Sequence, residues 1–244
     1  MIKYFFTTAV LISIAIINTS CTHYYYAPSA NNVPLFKEKK EARIQAQSSE
    51  GNEYSGFDIQ TAYALSNHAA MQLNLFHASG NDGEYGSGSG LYVEAAGGYY
   101  MPSHNKHWVF ETYAGLGLGG VKNMYGNFRK AEESKTSVTK FFIQPSYGFT
   151  SSHFDMAISS KFSMIMTGVN HSTLTKANNE FYYTEVNSLK GKSFFFWEPG
   201  VIIKAGFKNV KFITQVTCTV NNQTMQIVDD TNLSFGVVMP FMIK

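Results

Sequence analysis

Apolar and polar side chains alternate along most of the chain after residue 40, with the two-residue period that is typical of β-strands. In the stretch "GLYVEAAGGYYMPSHNKHWVFETYAGLGLGG", residues 90–120, two such runs flank a turn that contains Pro102. One face of this hairpin is apolar and aromatic, whereas the other is small and polar and contains Glu94 and Glu111. The pattern predicts two paired antiparallel strands with apolar side chains on one face and charges on the other.

Ten strands follow from the same period, and no convincing helical period interrupts them. Their connections alternate between short turns, such as 102–106 and 206–209, and long polar loops, of which 122–136 and 170–192 are the longest. Strands of roughly ten residues joined in this way are typical of a transmembrane antiparallel up-and-down β-barrel, so the predicted fold class is all-β. The strands are expected near residues 41–49, 56–65, 69–78, 90–101, 107–119, 137–149, 153–166, 193–205, 209–220 and 232–243.

Charged positions within the strands indicate which face is inside. An Arg or Lys that faces lipid at mid-depth costs about 2–4 kcal/mol, so these side chains are expected in the lumen. Five acidic and five basic residues favour an internally neutralised network, because buried charges need partners. Barrels of about eight strands have interiors that side chains just fill, so a plugged lumen is favoured over a narrow pore. The predicted lumen network comprises Arg43, Asp58, Glu94, Glu111, Lys140, Asp155, Lys161, Glu198, Lys204 and Lys211.

A soluble barrel of the lipocalin type would require the two faces to be exchanged. Aromatic residues at both ends of the apolar face argue against that alternative, because two aromatic girdles are expected where a barrel meets the two membrane interfaces. The predicted girdles contain Tyr99, Trp108, Phe149, Phe154, Phe212 and Phe241 near the turn end, and Phe57, Phe141, Phe195 and Trp197 near the loop end.

The first forty residues have a different character. Residues 1–20 read as a lipoprotein-type signal peptide, since their apolar run is too short to span a bilayer and Cys21 follows the small Ser20. Cys21 is the predicted lipidation site, and ordinary signal cleavage near Ser20 is the alternative. Residues 21–40 are interpreted as a lipidated tether whose tyrosines, Tyr24 to Tyr26, lie at the headgroup level, with docking on a partner as the alternative. Residues 41–244 are expected to form the barrel.

Composition supports a membrane location. The chain has 244 residues, of which only 15% are charged, whereas soluble domains carry about 25%. A net charge of +2 without a basic run excludes nucleic acid as an expected partner. The two cysteines, Cys21 and Cys218, are interpreted as unrelated. No cofactor is expected apart from the covalent lipid on Cys21.

The leader ending at Cys21, the following "YYYAPSANNVPLFKEKKEARI" and the segment "GFDIQTAYALSNHAAMQLNLF" resemble small outer-membrane β-barrel lipoproteins of Bacteroidota. The specific part of this resemblance covers about residues 21–76, and it implies a location and a fold without implying a chemistry. In that group, surface-exported lipoproteins carry acidic residues soon after the lipidated cysteine. This chain has none before Glu38. The resemblance therefore implies an anchor in the periplasmic leaflet. The even number of ten strands places both termini on the periplasmic side, and the barrel pattern places the long loops on the exterior.

A non-enzymatic role is expected, as a structural or accessory subunit of a larger outer-membrane complex. The expected partners are outer-membrane lipids and another outer-membrane protein or complex, and self-association is left open. The alternatives are a small pore for ions and small solutes, and an omptin-like surface protease. Exposed aromatic residues and Arg are typical interface anchors, and the possible loop interface consists of Phe128, Arg129, Phe181, Tyr182 and Tyr183.

No catalytic residue and no metal ligand is assigned from the sequence. Acidic and His residues occur in the predicted rim, but no Asp–His pair has a defined strand spacing; they are His77, Asp82, Glu84, His171, Asp229 and Asp230. A second group of histidines falls near the turn end, where imidazole is also compatible with lipid headgroups; it contains His23, His68, His104, His107 and His153.

Overall fold

The strands form a closed antiparallel barrel. The computed structural model describes residues 25–51, 54–81, 86–126, 132–221 and 230–243. One short helix, α1 (Glu180–Ser188), lies among the strands of this described part. The strands are β1 (Glu41–Glu50), β2 (Ser55–Ala64), β3 (Ala69–Asn81), β4 (Gly86–Pro102), β5 (Trp108–Tyr125), β6 (Glu132–Thr150), β7 (Phe154–Ser172), β8 (Ser193–Phe207), β9 (Val210–Cys218), β10 (Val220–Asn221) and β11 (Thr231–Met242).

Neighbouring strands in the chain are neighbours in the sheet, and the first and last strands close it. β1 pairs with β11 over ten residue pairs, from Glu41 opposite Met242 to Glu50 opposite Leu233. The two-residue β10 pairs with β8 directly after β9 does, so β9 and β10 together count as one strand. The eleven segments therefore form a ten-stranded barrel. The prediction of a ten-stranded up-and-down barrel is confirmed.

The central strands are longer than the sequence pattern predicts. β5 and β6 remain paired through the predicted loop 122–136, as far as Tyr125 opposite Glu132. Backbone pairing does not require an apolar face, so these polar stretches stay in the sheet beyond the lipid-facing band. The connections 51–54 and 82–85 are consequently as short as the turn 65–68 at the other end. The predicted alternation of short turns and long loops therefore holds only for the later connections.

The prediction that residues 170–192 form a loop is also wrong in part, because this range contains the end of β7 and the helix α1. Tyr182 and the buried Val186 and Leu189 have the spacing i, i+4 and i+7 of one helical face. Two helical turns are too few for this signal to stand out among polar neighbours. No helix in the described ranges is long and apolar enough to cross a bilayer.

The outer wall carries a continuous apolar band. On β5 the outward residues from Trp108 to Leu118 are mainly apolar, and Leu118 has 58% of its surface exposed. These ten residue steps correspond to about 25 Å along the membrane normal for a strand tilt of about 40°. Such a height matches the hydrocarbon-facing band of outer-membrane barrels. The predicted girdle residues of both ends lie on this outer surface.

Two histidines at the turn end link neighbouring strands. His68 stacks on the Tyr99 ring at 5.5 Å and His107 stacks on the Phe149 ring at 5.6 Å. The Nδ1 atom of His68 hydrogen-bonds the Tyr100 carbonyl, and that of His107 hydrogen-bonds the carbonyl of Thr150, each at 3.2 Å. Each histidine thus ties the start of one strand to the end of the next.

Candidate functional site

The most informative feature of the interior is a segment of the chain that passes through it. Residues 25–36, called the lumen plug below, are all buried. The Tyr25 hydroxyl lies 3.0 Å from that of Tyr125, the last residue of β5, at the loop end. The Phe36 ring packs 5.7 Å from Tyr100 near the turn end. The chain therefore enters at the loop end, crosses the lumen and turns back into β1.

For residues 25–36, this path corrects the interpretation of residues 21–40 as a surface tether; residues 21–24 lie outside the described residues. Tyr25 and Tyr26 do not lie at the headgroup level, because each has at most 2% of its surface exposed and packs inside the barrel. The sequence has no charged residue between Cys21 and Phe36. Such a segment can be enclosed without leaving an unpaired charge, and this absence of charge is the signal that could have identified the plug.

Side chains of the wall satisfy the backbone of the plug. Arg43 and Lys204 donate to the carbonyls of Leu35 and Val33 at 3.1 and 2.6 Å, and Glu111 accepts from the amide of Leu35 at 3.0 Å. An extended segment without a neighbouring strand needs such partners, because buried backbone groups are costly when unpaired. Five further donors bind plug carbonyls: Gln60 to Ala30, Gln72 and Gln144 to Asn32, and Tyr54 and Asn232 to Pro28.

The polar side chains of the plug are also held by the wall. Asn31 donates to the Ser159 hydroxyl at 2.9 Å, and Asn32 donates to the side-chain oxygen of Asn74 at 2.8 Å. Two inward glycines leave room for the plug. A Cβ at Gly148 would lie 2.9 Å from the Leu35 side chain, and one at Gly200 would lie 3.0 Å from the Asn31 amide nitrogen.

Four of the predicted lumen charges form a central cluster: Glu94, Lys140, Lys161 and Glu198. Lys140 lies 3.0 Å from Glu94 and 3.2 Å from Glu198, and Lys161 lies 3.4 Å from Glu94. Gly117 stands between Glu94 and Lys140 in the sheet, so the two side chains meet across a residue without one. The plug joins this cluster because the Tyr26 hydroxyl donates to Glu198 at 2.6 Å and accepts from Lys140 at 2.7 Å.

The other predicted lumen residues lie inside the barrel as well. Arg43, Asp155 and Lys211 form a turn-end cluster, with Asp155 3.6 Å from Arg43 and 2.6 Å from Lys211. Glu111 and Lys204 form hydrogen bonds with the plug backbone, as described above. Asp58 has no cation within 4 Å in the described part of the chain, and accepts a hydrogen bond from Ser49 at 2.8 Å.

Little free space remains beside the central cluster. A void lined by Tyr26, Tyr92, Glu94 and Lys140 has a volume of about 10 Å³, which is room for about one water molecule. Plug and side chains together fill the lumen at this level. At the level of the central cluster the interior is therefore filled, and its charges are paired.

The loop end of the lumen is covered by α1. Tyr182 packs against Tyr125 with ring centroids 4.7 Å apart, and Val186 and Leu189 join the buried cluster that contains Tyr25. The segment before the helix is tied to β6 by hydrogen bonds that Glu132 accepts from Thr175, Asn178 and Asn179.

The predicted loop interface is divided by this arrangement. Tyr182 points to the barrel interior, whereas Phe181 and Tyr183 remain 53% and 37% exposed. Phe128 and Arg129 lie outside the described residues.

Within the described part of the chain, the remaining candidates are not gathered into one site; Asp82, Glu84 and Asp229 lie outside the described residues. Cys218 is free and exposed, and Cys21 lies outside the described residues. His77 and His171 are on the outer wall, where His171 lies 3.4 Å from Glu133. Within the described ranges no group of three His, Cys, Asp or Glu side chains could hold a metal ion.

Comparisons with known proteins concern the fold alone. No protein-family model matches the chain, and neither does any curated protein sequence. Among solved structures, the chain is similar to OmpT, an outer membrane protein of Vibrio cholerae, folded in vitro and in its trimer form. The two share 7% sequence identity with a TM-score of 0.26, over 82% of this chain and 98% of the other. The fold is consistent with an outer-membrane location.

Proposed function

We propose that this barrel is a lipid-anchored, non-enzymatic outer-membrane protein that serves as a structural or accessory subunit of a larger envelope complex. The lumen plug carries the proposal. Because residues 25–36 and the charge clusters occupy the interior, the surfaces left for function are the outer wall, the loops and α1. A partner bound at those surfaces accounts for a barrel whose interior is filled by its own chain.

The exposed aromatic residues of α1 support a protein partner at the loop end. Phe181 and Tyr183 are exposed on a helix whose other face is fixed by Tyr182, Val186 and Leu189. Rigid aromatic side chains presented in this way are typical of interface anchors, because little conformational entropy is lost on binding.

The first experiment is purification of the full chain from outer membranes in a mild detergent. We expect co-purification with one large membrane complex in a fixed ratio, and at least tenfold lower recovery of the complex with Phe181→Ala/Tyr183→Ala, given about 1 kcal/mol or more per anchor. Lys176→Gln, an exposed change on the same loop, is the matched control. Isolation of a lone species with the mass of one lipidated chain would contradict the accessory role.

The path of the plug also bears on the lipid anchor. The described chain begins at Tyr25 at the loop end, whereas β11 ends at Met242 at the turn end. Cys21 is four residues before Tyr25, within about 14 Å of extended chain. With the loops facing outward, a lipid on Cys21 is therefore proposed to enter the outer leaflet. The predicted periplasmic leaflet and periplasmic N-terminus do not fit the threaded path, because they assumed that residues 21–40 stay on the turn side.

Surface labelling of intact cells tests this orientation. An epitope inserted directly before Tyr25 is expected to bind antibody without permeabilisation, because the plug delivers that position to the outer face. The same epitope at the C-terminus is the control, and it is expected to bind only after the outer membrane is permeabilised. The reverse pattern would show that the loops face the periplasm or that the plug does not thread the barrel.

A further inference from the structure

The outer wall has an open groove near the loop end of β3 to β6. It has a volume of about 420 Å³ and is called the wall groove below. Gly120 supplies no side chain to it, which leaves a depression between the neighbouring strands. The lining residues used here are His77, Ser89, Leu91, Gly120, Lys122 and Lys135.

The groove lies at the height of lipid headgroups. On the outward face of β5, Leu118 is followed by Gly120, and Lys122 follows Leu118 four residues later on the same face. Four strand residues correspond to about 10 Å along the membrane normal at a tilt of about 40°. A Lys side chain that starts at this height can place its ammonium group at the edge of the hydrocarbon, while its methylene groups cover apolar surface.

The charges at the groove are incompletely balanced. Lys122 and Lys135 are directly opposite each other on paired strands and both face outward, an arrangement that is destabilising for like charges. Glu133 lies between them, 3.1 Å from Lys122 and 3.5 Å from Lys135. The same carboxylate is 3.4 Å from His171. A single carboxylate thus faces two lysines and a histidine. The groove therefore carries a net positive charge that another anion can neutralise.

From this geometry we propose that the wall groove binds the phosphate headgroup of a membrane lipid in the loop-end leaflet. Lys122 and Lys135 pair with the phosphate, the hydroxyl of Ser89 donates a hydrogen bond, and the acyl chains lie over Leu91 and Leu118. A free phosphate ion would use the same cations, but the apolar surface directly below the groove favours a lipid. The proposal requires a membrane-embedded barrel and does not depend on an accessory role.

Native mass spectrometry of the full chain in a neutral detergent tests the site, with phosphatidic acid as the probe. We expect retention of phosphatidic acid in preference to phosphatidylcholine, and about 30-fold weaker binding with Lys122→Gln/Lys135→Gln, since each lysine contributes attraction to an anionic headgroup. Glu133→Gln is expected to bind phosphatidic acid about fivefold more tightly, because it removes the competing carboxylate. This gain is informative even if the double variant folds poorly.

The matched control is Lys190→Gln/Lys192→Gln, which removes the same charge from an exposed loop away from the groove. We expect no change in phosphatidic acid binding for this variant. An equal loss in the control, or equal retention of phosphatidylcholine, would overturn the proposal. Displacement of phosphatidic acid by millimolar inorganic phosphate, with phosphate bound alone at that concentration, would show an ion site and no lipid site.

Discussion

Glu94→Gln is expected to destabilise the folded barrel by about 3–5 kcal/mol, the cost of removing one partner of a buried ion pair. Lys161 is fully buried, and Glu94 is its ion-pair partner at 3.4 Å. The amide of Gln would leave that ammonium group buried without a counter-charge. Lys140 keeps its contact with Glu198, so the loss falls mainly on Lys161. Urea unfolding in detergent micelles, followed by tryptophan fluorescence, measures the change.

A second substitution distinguishes loss of a charge partner from loss of packing. Adding Lys161→Met to Glu94→Gln removes the stranded ammonium group, and we expect the double variant to recover most of the lost stability. Glu133→Gln, in the exposed cluster on the wall, serves as the control and is expected to leave the urea midpoint almost unchanged, because exposed ion pairs contribute little to stability. A double variant no more stable than Glu94→Gln would show that the central cluster is not a coupled ion network.

A chain that lacks residues 25–36 is expected to conduct ions in planar bilayers, whereas the full chain is expected to show no resolvable conductance. Removing the plug vacates the axis of the lumen and leaves a wall lined by Gln60, Gln72, Gln144 and the charge clusters. These groups can be hydrated once water enters, so the barrel wall remains compatible with folding. Single-channel recording of both chains measures the difference.

The peptide YYAPSANNVPLF, which reproduces residues 25–36, provides the matching control. The plug is held by hydrogen bonds and packing, so we expect the added peptide to block the shortened barrel. A peptide with the same composition in scrambled order is expected to leave the conductance open, because the amides of Asn31 and Asn32 would lose their partners. Steady conductance of the full chain would favour the small pore over the accessory role.

The central cluster and the plug are in direct contact inside the lumen. Tyr26 links them through its contacts with Glu198 and Lys140, so the plug is part of the charge network. Loss of Glu94 is therefore expected to loosen the plug as well as the wall, and the two experiments inform each other.

The barrel could be predicted from the local sequence pattern. Two-residue alternation, the turns and the charge positions were enough to predict ten strands and the side of the wall on which each charge lies, because these features are repeated locally along every strand. Residues such as Glu94 and Lys161 could be assigned inward for this reason, since lipid excludes them from the outer face. The sequence does not reveal which of these charges pair across strands. Pairing depends on the register of neighbouring strands and on positions without a side chain, such as Gly117.

The location of residues 25–36 follows from long-range contacts and could not be predicted from their local pattern. An uncharged, irregular segment has no period that distinguishes a surface tether from a plug, and its position depends on partners far along the chain, such as Glu111 and Lys204. The same holds for the wall groove, which arises from side chains of four neighbouring strands. Local pattern determines which face a residue occupies, whereas contacts between distant residues determine what that face encloses.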